Sequence, residues 1–223
     1  MKALIFDFNG VIVDDEPIHF ELFQKVLAEE GITLSHQDYY EHYLGMDDFG
    51  CLRVASRDQG KPLSEEKILE LTERKNQYYQ KVMEDNPPFV PGAKDFILQA
   101  VPDFALAVVS GALKREIEDL LSRLELIKYF PVLVAAEDVK QGKPHPEGYL
   151  KALKLLQKEH PKLKAEDCLV FEDSPWGLES AEAAGMPRVA IMTSFAKEDL
   201  NGALAYLKDF KNLQVRDFIN SLK

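Results

Sequence analysis

Cysteine is scarce in this chain: 223 residues hold two, Cys51 and Cys168. Two isolated thiols with no metal-ligand spacing exclude a disulfide framework and a cysteine-bound metal, and they suit a reducing compartment. Positive charge is also short. Lys and Arg number 27 against 38 Asp and Glu, a formal net charge of −11, and no basic stripe collects the cations that a phosphate backbone demands, so nucleic acid is disfavoured as a partner. Long apolar runs are missing: the one opening at Ala3 is stopped by Asp7, too short for a signal-peptide core or a membrane span. Internal repeats and low-complexity tracts are lacking too. The expectation is a cytoplasmic chain with no membrane partner. What is present, 46% hydrophobic residues, suffices for a real core in one large domain or one domain carrying a smaller insert.

Five short apolar runs predict buried strands: Ala3–Phe8, Phe104–Val109, Val132–Ala136, Cys168–Phe171 and Arg188–Met192. None alternates polar with apolar residues, as expected where helices cover both faces of a parallel sheet. Helical periodicity fills the gaps, with Leu113, Ile117, Leu120, Leu121 and Leu124 in one segment and Tyr149, Leu150, Leu153 and Leu156 in another. The fold class is therefore α/β, a doubly wound parallel sheet. Residues 15–88 break the rhythm with helical patterns alone and read as an inserted helical domain. The core domain is then discontinuous, 1–14 and 89–223. The insert's first helix has Pro17 in its opening turn, sets Ile18, Leu22, Phe23, Val26 and Leu27 on one face and stops at Gly31; a later one starts after Ser64 as N-cap.

In an open α/β sheet, ligands bind beyond the carboxyl ends of the strands. The first strand leads into Asp7-Phe8-Asn9-Gly10, the second into Ser110-Gly111 and the fourth into Glu172-Asp173-Ser174, while Gly142-Lys143-Pro144 follows the third. Clustered carboxylates repel unless a cation sits among them, and hard oxygen donors suit Mg²⁺. Lysine, a hydroxyl and turn N–H groups suit a phosphate. Read singly, Ser110-Gly111 is an ordinary turn, Lys143 a solvated lysine and Glu172-Asp173-Ser174-Pro175 a strand end before a helix start. Asp7 is different, because a carboxylate closing an apolar strand is costly without a partner. The joint placement points to phosphoryl transfer to an aspartate.

Asp7-Phe8-Asn9-Gly10-Val11, Val109-Ser110-Gly111, Lys143-Pro144 and Glu172-Asp173-Ser174 resemble, in order and spacing, the four motifs of the haloacid dehalogenase superfamily, over almost the whole chain. The insert lies where that superfamily carries small helical caps. Asp14, His19 and Arg74-Lys75-Asn76 make the chain most similar to the β-phosphoglucomutase-like phosphatases and mutases. The resemblance implies that Asp7 is the nucleophile and becomes an aspartyl phosphate. It also implies that Asp7, Glu172, Asp173 and the main-chain oxygen of Asn9 hold Mg²⁺, and that Ser110, Gly111 and Lys143 bind the phosphoryl group. His19, Lys75 and Asn76 would be cap residues facing a small phosphorylated substrate. As helix residues, Lys75 and Asn76 could equally face water, and His19 could be a hydrogen-bonded structural histidine. Tyr39, Tyr40, Tyr43, Tyr78 and Tyr79 could line a pocket or pack the insert.

One position departs from the pattern. Family phosphatases carry Asp two residues after the nucleophile, and this chain has Asn9. An amide cannot shuttle a proton, and such help is worth roughly 10²- to 10⁴-fold. Four readings stay open: a substrate with a good leaving group, a proton supplied by His19, Asp14, Asp15 or Asp47, a substitution made to trap substrate, or a natural protein that binds rather than turns over. Asn9-Gly10 is also a sequence prone to deamidation. The expected activity is a Mg²⁺-dependent phosphatase, with a phosphosugar mutase or a catalytically weak phosphate-ligand binding protein as alternatives. Substrate identity and oligomeric state are not written in the sequence.

Overall fold

The computed structural model describes residues 1–44, 46, 48–85 and 87–222. The chain divides into two compact units, one of Met1–Asp14 with Phe89–Lys223 and one of Asp15–Pro88. Strand β1 (Ala3–Phe6) opens the first unit. The second unit follows, with helices α1 (Glu16–Glu29), α2 (His36–Asp38), α3 (Asp48–Asp58) and α4 (Glu65–Asp85). The chain then re-enters the first unit through α5 (Ala93–Ala100), β2 (Ala105–Val109), α6 (Lys114–Arg123), β3 (Val132–Val134) and α7 (Glu147–Leu156). It ends with β4 (Cys168–Glu172), α8 (Pro175–Ala183), β5 (Arg188–Ile191), β6 (Tyr206–Leu207) and α9 (Val215–Ser221).

The six strands form one parallel sheet in the order β3-β2-β1-β4-β5-β6. Strand order reverses at β1, so the crevice beyond β1 and β4 is where this topology places a ligand. Register decides which side chains meet there. Ile5 pairs with Val170, and a period of two carries the pairing on to Asp7 beside Glu172. The same alternation puts Ala3, Ile5, Cys168 and Val170 in a cluster with Tyr149 of α7. Phe6 and Phe171 face the other way and stack at 4.9 Å, with Phe96 and Phe130 edge-on to Phe6.

The strands are shorter than the apolar runs that foretell them. β1 stops at Phe6, because the Phe8 carbonyl turns back to accept from the Ile12 and Val13 N–H groups; Phe8, Val11, Ile12 and Val13 are buried in a loop rather than a strand. β3 likewise ends at Val134, before Ala135 and Ala136. A sixth strand, Tyr206–Leu207, was not foreseen, since two half-buried residues carry no pattern.

The helical unit packs Phe23, Val26, Leu27, Ile32, Tyr39, Tyr43, Leu52, Ile68 and Leu71 into its own core. Pro17 sits in the first turn of α1 and Gly31 beyond its end takes φ +67°, a left-handed geometry that spares a Cβ clash only in glycine. Ser64 Oγ accepts from the Lys67 N–H at 3.2 Å and caps α4. No helix among the described residues is long and apolar enough to cross a membrane.

Candidate active site

Asp7, Glu172 and Asp173 are all buried, and each offers a carboxylate oxygen within 4.8 Å of the others. Lys143 lies between two of them. Its ammonium is 2.7 Å from Asp7 Oδ1 and also touches Glu172 Oε1. Taken singly it read as a solvated lysine; the structure corrects this, with only 15% of its side chain exposed. Glu172, fully buried, is the most heavily held of the acids. The Tyr149 hydroxyl donates to its Oε1 at 2.7 Å, and the Ser174 hydroxyl and the Asp173 N–H donate to Oε2 at 3.1 Å each. Ser174 serves twice, since its oxygen also accepts from the Gly177 N–H and caps α8. Gly177 is obligatory: a Cβ there would fall 2.0 Å from the Glu172 carboxylate.

Gly10 plays the matching part on the other side. It takes φ +71°, and an added Cβ would lie 1.9 Å from Asp173 Oδ2. Beside it, Asn9 Oδ1 accepts a long 3.4 Å hydrogen bond from the Ser110 hydroxyl, which in turn accepts from the Ala112 N–H at 3.1 Å. That N–H, a candidate phosphate donor in the sequence, is thus engaged by Ser110 itself. Gly111 is exposed in the same turn. The structure therefore gathers Asp7, Asn9, Ser110, Lys143, Glu172 and Asp173 in one unit. It also adds residues that motif reading passed over: Tyr149, Gly177, and the pair Thr193 and Ser194. Thr193 Oγ1 donates to the Gly10 carbonyl at 2.6 Å and Ser194 Oγ to Asp173 Oδ2 at 2.5 Å. Both follow β5, and the strand-end rule that located the other groups would have located them as well.

The electrostatics are unbalanced. Burial pushes the Asp7 carboxyl from 3.8 up to about 7, with Lys143 pulling the other way and the Glu172 charge adding to the rise. Burial, then repulsion from Asp7 and Glu172, drives Asp173 well above the carboxylate range. Burial by itself weakens the hold of Lys143 on its proton; Asp7 and Glu172 more than reverse that and hold it more firmly than in a free lysine. Asp7 Oδ1 is buried, and although the Lys143 charge is beside it, no donor is aligned to it. Three hard oxygen donors, one of them lacking an aligned donor, and more negative charge than one ammonium neutralises fit a divalent ion such as Mg²⁺.

The candidate residues of the helical unit belong to a separate network. Lys75 is fully buried, against the expectation that a helix lysine faces water. Its ammonium is 2.7 Å from Asp48 Oδ1 and 2.8 Å from His19 Nδ1, above the Phe23 ring. His19 stacks on Tyr79 and approaches Asp15 Oδ2 at 3.4 Å, and the Tyr79 hydroxyl donates to the same oxygen at 2.7 Å. Asn76 is exposed. Of the candidate proton donors, Asp15 is buried in this network, Asp14 is half-buried in the α/β unit, and Asp47 lies outside the described residues. Tyr39 and Tyr43 pack in the core of the insert.

The sequence matches the haloacid dehalogenase-like hydrolase family over residues 4–191, and the chain belongs to that family of enzymes. Relatives narrow the setting. It is 33% identical over 190 residues to the phosphorylated carbohydrates phosphatase of Thermotoga maritima, covering 85% of this chain and 84% of the relative. Against the β-phosphoglucomutase of Bacillus subtilis it is 29% identical over 196 residues, 86% of this chain and 83% of the other. The fold is shared with the solved β-phosphoglucomutase of Clostridium difficile, with a TM-score of 0.77 at 22% identity over 100% of this chain and 97% of that one.

Proposed function

We propose that this chain is a Mg²⁺-dependent phosphatase of small phosphorylated metabolites, working through an aspartyl phosphate on Asp7. The carrying observation is the buried trio Asp7, Glu172 and Asp173 set against the single ammonium of Lys143. The relative named for phosphorylated carbohydrates supports a substrate of that class. Asp7, Glu172 and Asp173 would hold the metal together with the Asn9 main-chain oxygen; when bound, it supplies Lewis-acid neutralisation of carboxylate and phosphoryl charge. A carboxylate oxygen of Asp7 attacks phosphorus, the new O–P bond forms, and the ester P–O bond breaks toward the leaving group. Lys143 pairs with Asp7 and Glu172 by charge, and its ammonium carries three N–H donors, one of which it can turn to a phosphoryl oxygen. The Ser110 hydroxyl, whose oxygen accepts from the Ala112 N–H and whose own donated bond to Asn9 is long, can turn its proton to another. His19, Lys75 and Asn76 of the helical unit stay candidate substrate groups; within that unit, the Lys75 ammonium fixes the His19 ring through Nδ1.

Asn9 gives the leaving group no proton, so esters whose leaving groups depart as stable anions are turned over fastest. Phosphate release from a panel of phosphomonoesters, with and without Mg²⁺, tests the proposal. Metal-dependent release that Asp7→Asn abolishes supports it, and no such release refutes it. Asn9→Asp should raise turnover of alkyl phosphates by about 10²- to 10⁴-fold and that of activated esters far less. A flat response would assign the asparagine to a binding protein. The similarity to a β-phosphoglucomutase favours a second reading, a phosphosugar mutase; interconversion of sugar phosphates without net phosphate release would select it.

A further inference from the structure

We infer that Thr193 and Ser194, on the loop leaving β5, form a positioning clasp that aims Asp173 at the metal and locks it to the loop following Asp7. The inference rests on the reading of Asp7, Glu172 and Asp173 as a Mg²⁺ site. Neither residue touches the reacting atoms; both act through groups that would.

Consecutive hydroxyls point in two directions here. Ser194 Oγ takes Asp173 Oδ2 at 2.5 Å, and Thr193 Oγ1 takes the Gly10 carbonyl at 2.6 Å. Once a bound cation keeps Asp173 ionised, a hydroxyl donating to it at that distance is a charge-assisted bond, stronger and more directional than a neutral one. Gly10 closes the other side of the same oxygen, because Asp173 Oδ2 occupies the space a Cβ at Gly10 would need. Oδ2 is thereby boxed between Ser194 and Gly10, and Oδ1 is left to face a cation. β5 neighbours β4, and β4 neighbours β1, so one short loop from the third strand along fixes the spacing across the crevice between the other two. Groups that orient a metal ligand in this way typically contribute 10- to 100-fold to metal affinity.

Calorimetric titration of the full chain with Mg²⁺ is the test, alongside melting in chelator as a control for folding. Ser194→Ala should bind Mg²⁺ about 10- to 100-fold more weakly while melting in chelator at the parent temperature. Ser194→Thr, which keeps the hydroxyl, should stay close to the parent. Thr193→Val removes the second hydroxyl at similar shape and should weaken binding several-fold; it keeps the inference testable should the alanine variant not fold. Parent chain that binds Mg²⁺ with both hydroxyl-deleted variants unchanged overturns the clasp and spares the metal site. Parent chain that binds no Mg²⁺ overturns the metal site itself.

Discussion

Lys75 in the helical unit and Lys143 in the α/β unit are both withdrawn from water, and their company differs. Lys75 meets one carboxylate, Asp48, and the Nδ1 of His19. Lys143 meets two carboxylates, with a third within 4.8 Å of both. The first arrangement is closed: Asp15, the next acid in that network, has the Tyr79 hydroxyl as its donor. The second is open, since Asp7 Oδ1 has no aligned donor. A buried lysine is thus no guide to function by itself. The charge left over around it is.

Among substitutions, breaking the closed arrangement should have the largest effect. Lys75→Met strands Asp48 and His19, and is expected to cost about 3 kcal/mol, at the low end for a broken buried pair because Asp48 keeps 23% of its side chain in water; urea unfolding of the full chain measures it. The open arrangement should respond with the opposite sign. In chelator, Asp173→Asn replaces a buried carboxyl that burial and its acid neighbours already hold well above the carboxylate range, so the metal-free variant should melt at or above the parent temperature. The same variant should lose the rise in melting temperature that Mg²⁺ gives the parent. pH should act on the metal-free chain as well. Asp7 titrates near 3.8 when unfolded and at about 7 when folded, so the folded state binds the extra proton between those values. Its stabilising contribution is complete below the lower value and is lost as pH climbs toward the upper one. Melting in chelator should therefore fall across that window, and saturating Mg²⁺ should flatten the fall; an unchanged slope would deny that the cation and the proton compete for Asp7.

The sheet was legible because parallel strands buried on both faces must be continuously apolar, and Ala3, Cys168 and Arg188 each begin such a run. Strand ends were not, because Phe8, Val11 and Ile12 are as apolar in their loop as they would be in a strand. The carboxylates were legible through the strand-end rule. One support was not: Tyr149 lies on α7 rather than at a strand end, and its hydroxyl carries no mark in a sequence until the group it donates to is placed. Lys75 did leave a signal. Ile68, Leu71, Thr72 and Lys75 all lie on the buried stripe of α4, at helical spacing, and its position on that stripe outranks the general preference of lysine for water.

Gly10 bears on how this protein ages. Conversion of an Asn-Gly pair begins when the glycine nitrogen closes a five-membered imide on the asparagine side chain, which needs that nitrogen free and the backbone able to swing. Here the Gly10 nitrogen is committed to the Val13 carbonyl at 2.6 Å, and Asp173 wedges the residue at its positive φ. The folded loop thus protects the amide at position 9, so that whatever chemistry Asn9 permits or withholds is a lasting property of the enzyme rather than a stage in its decay.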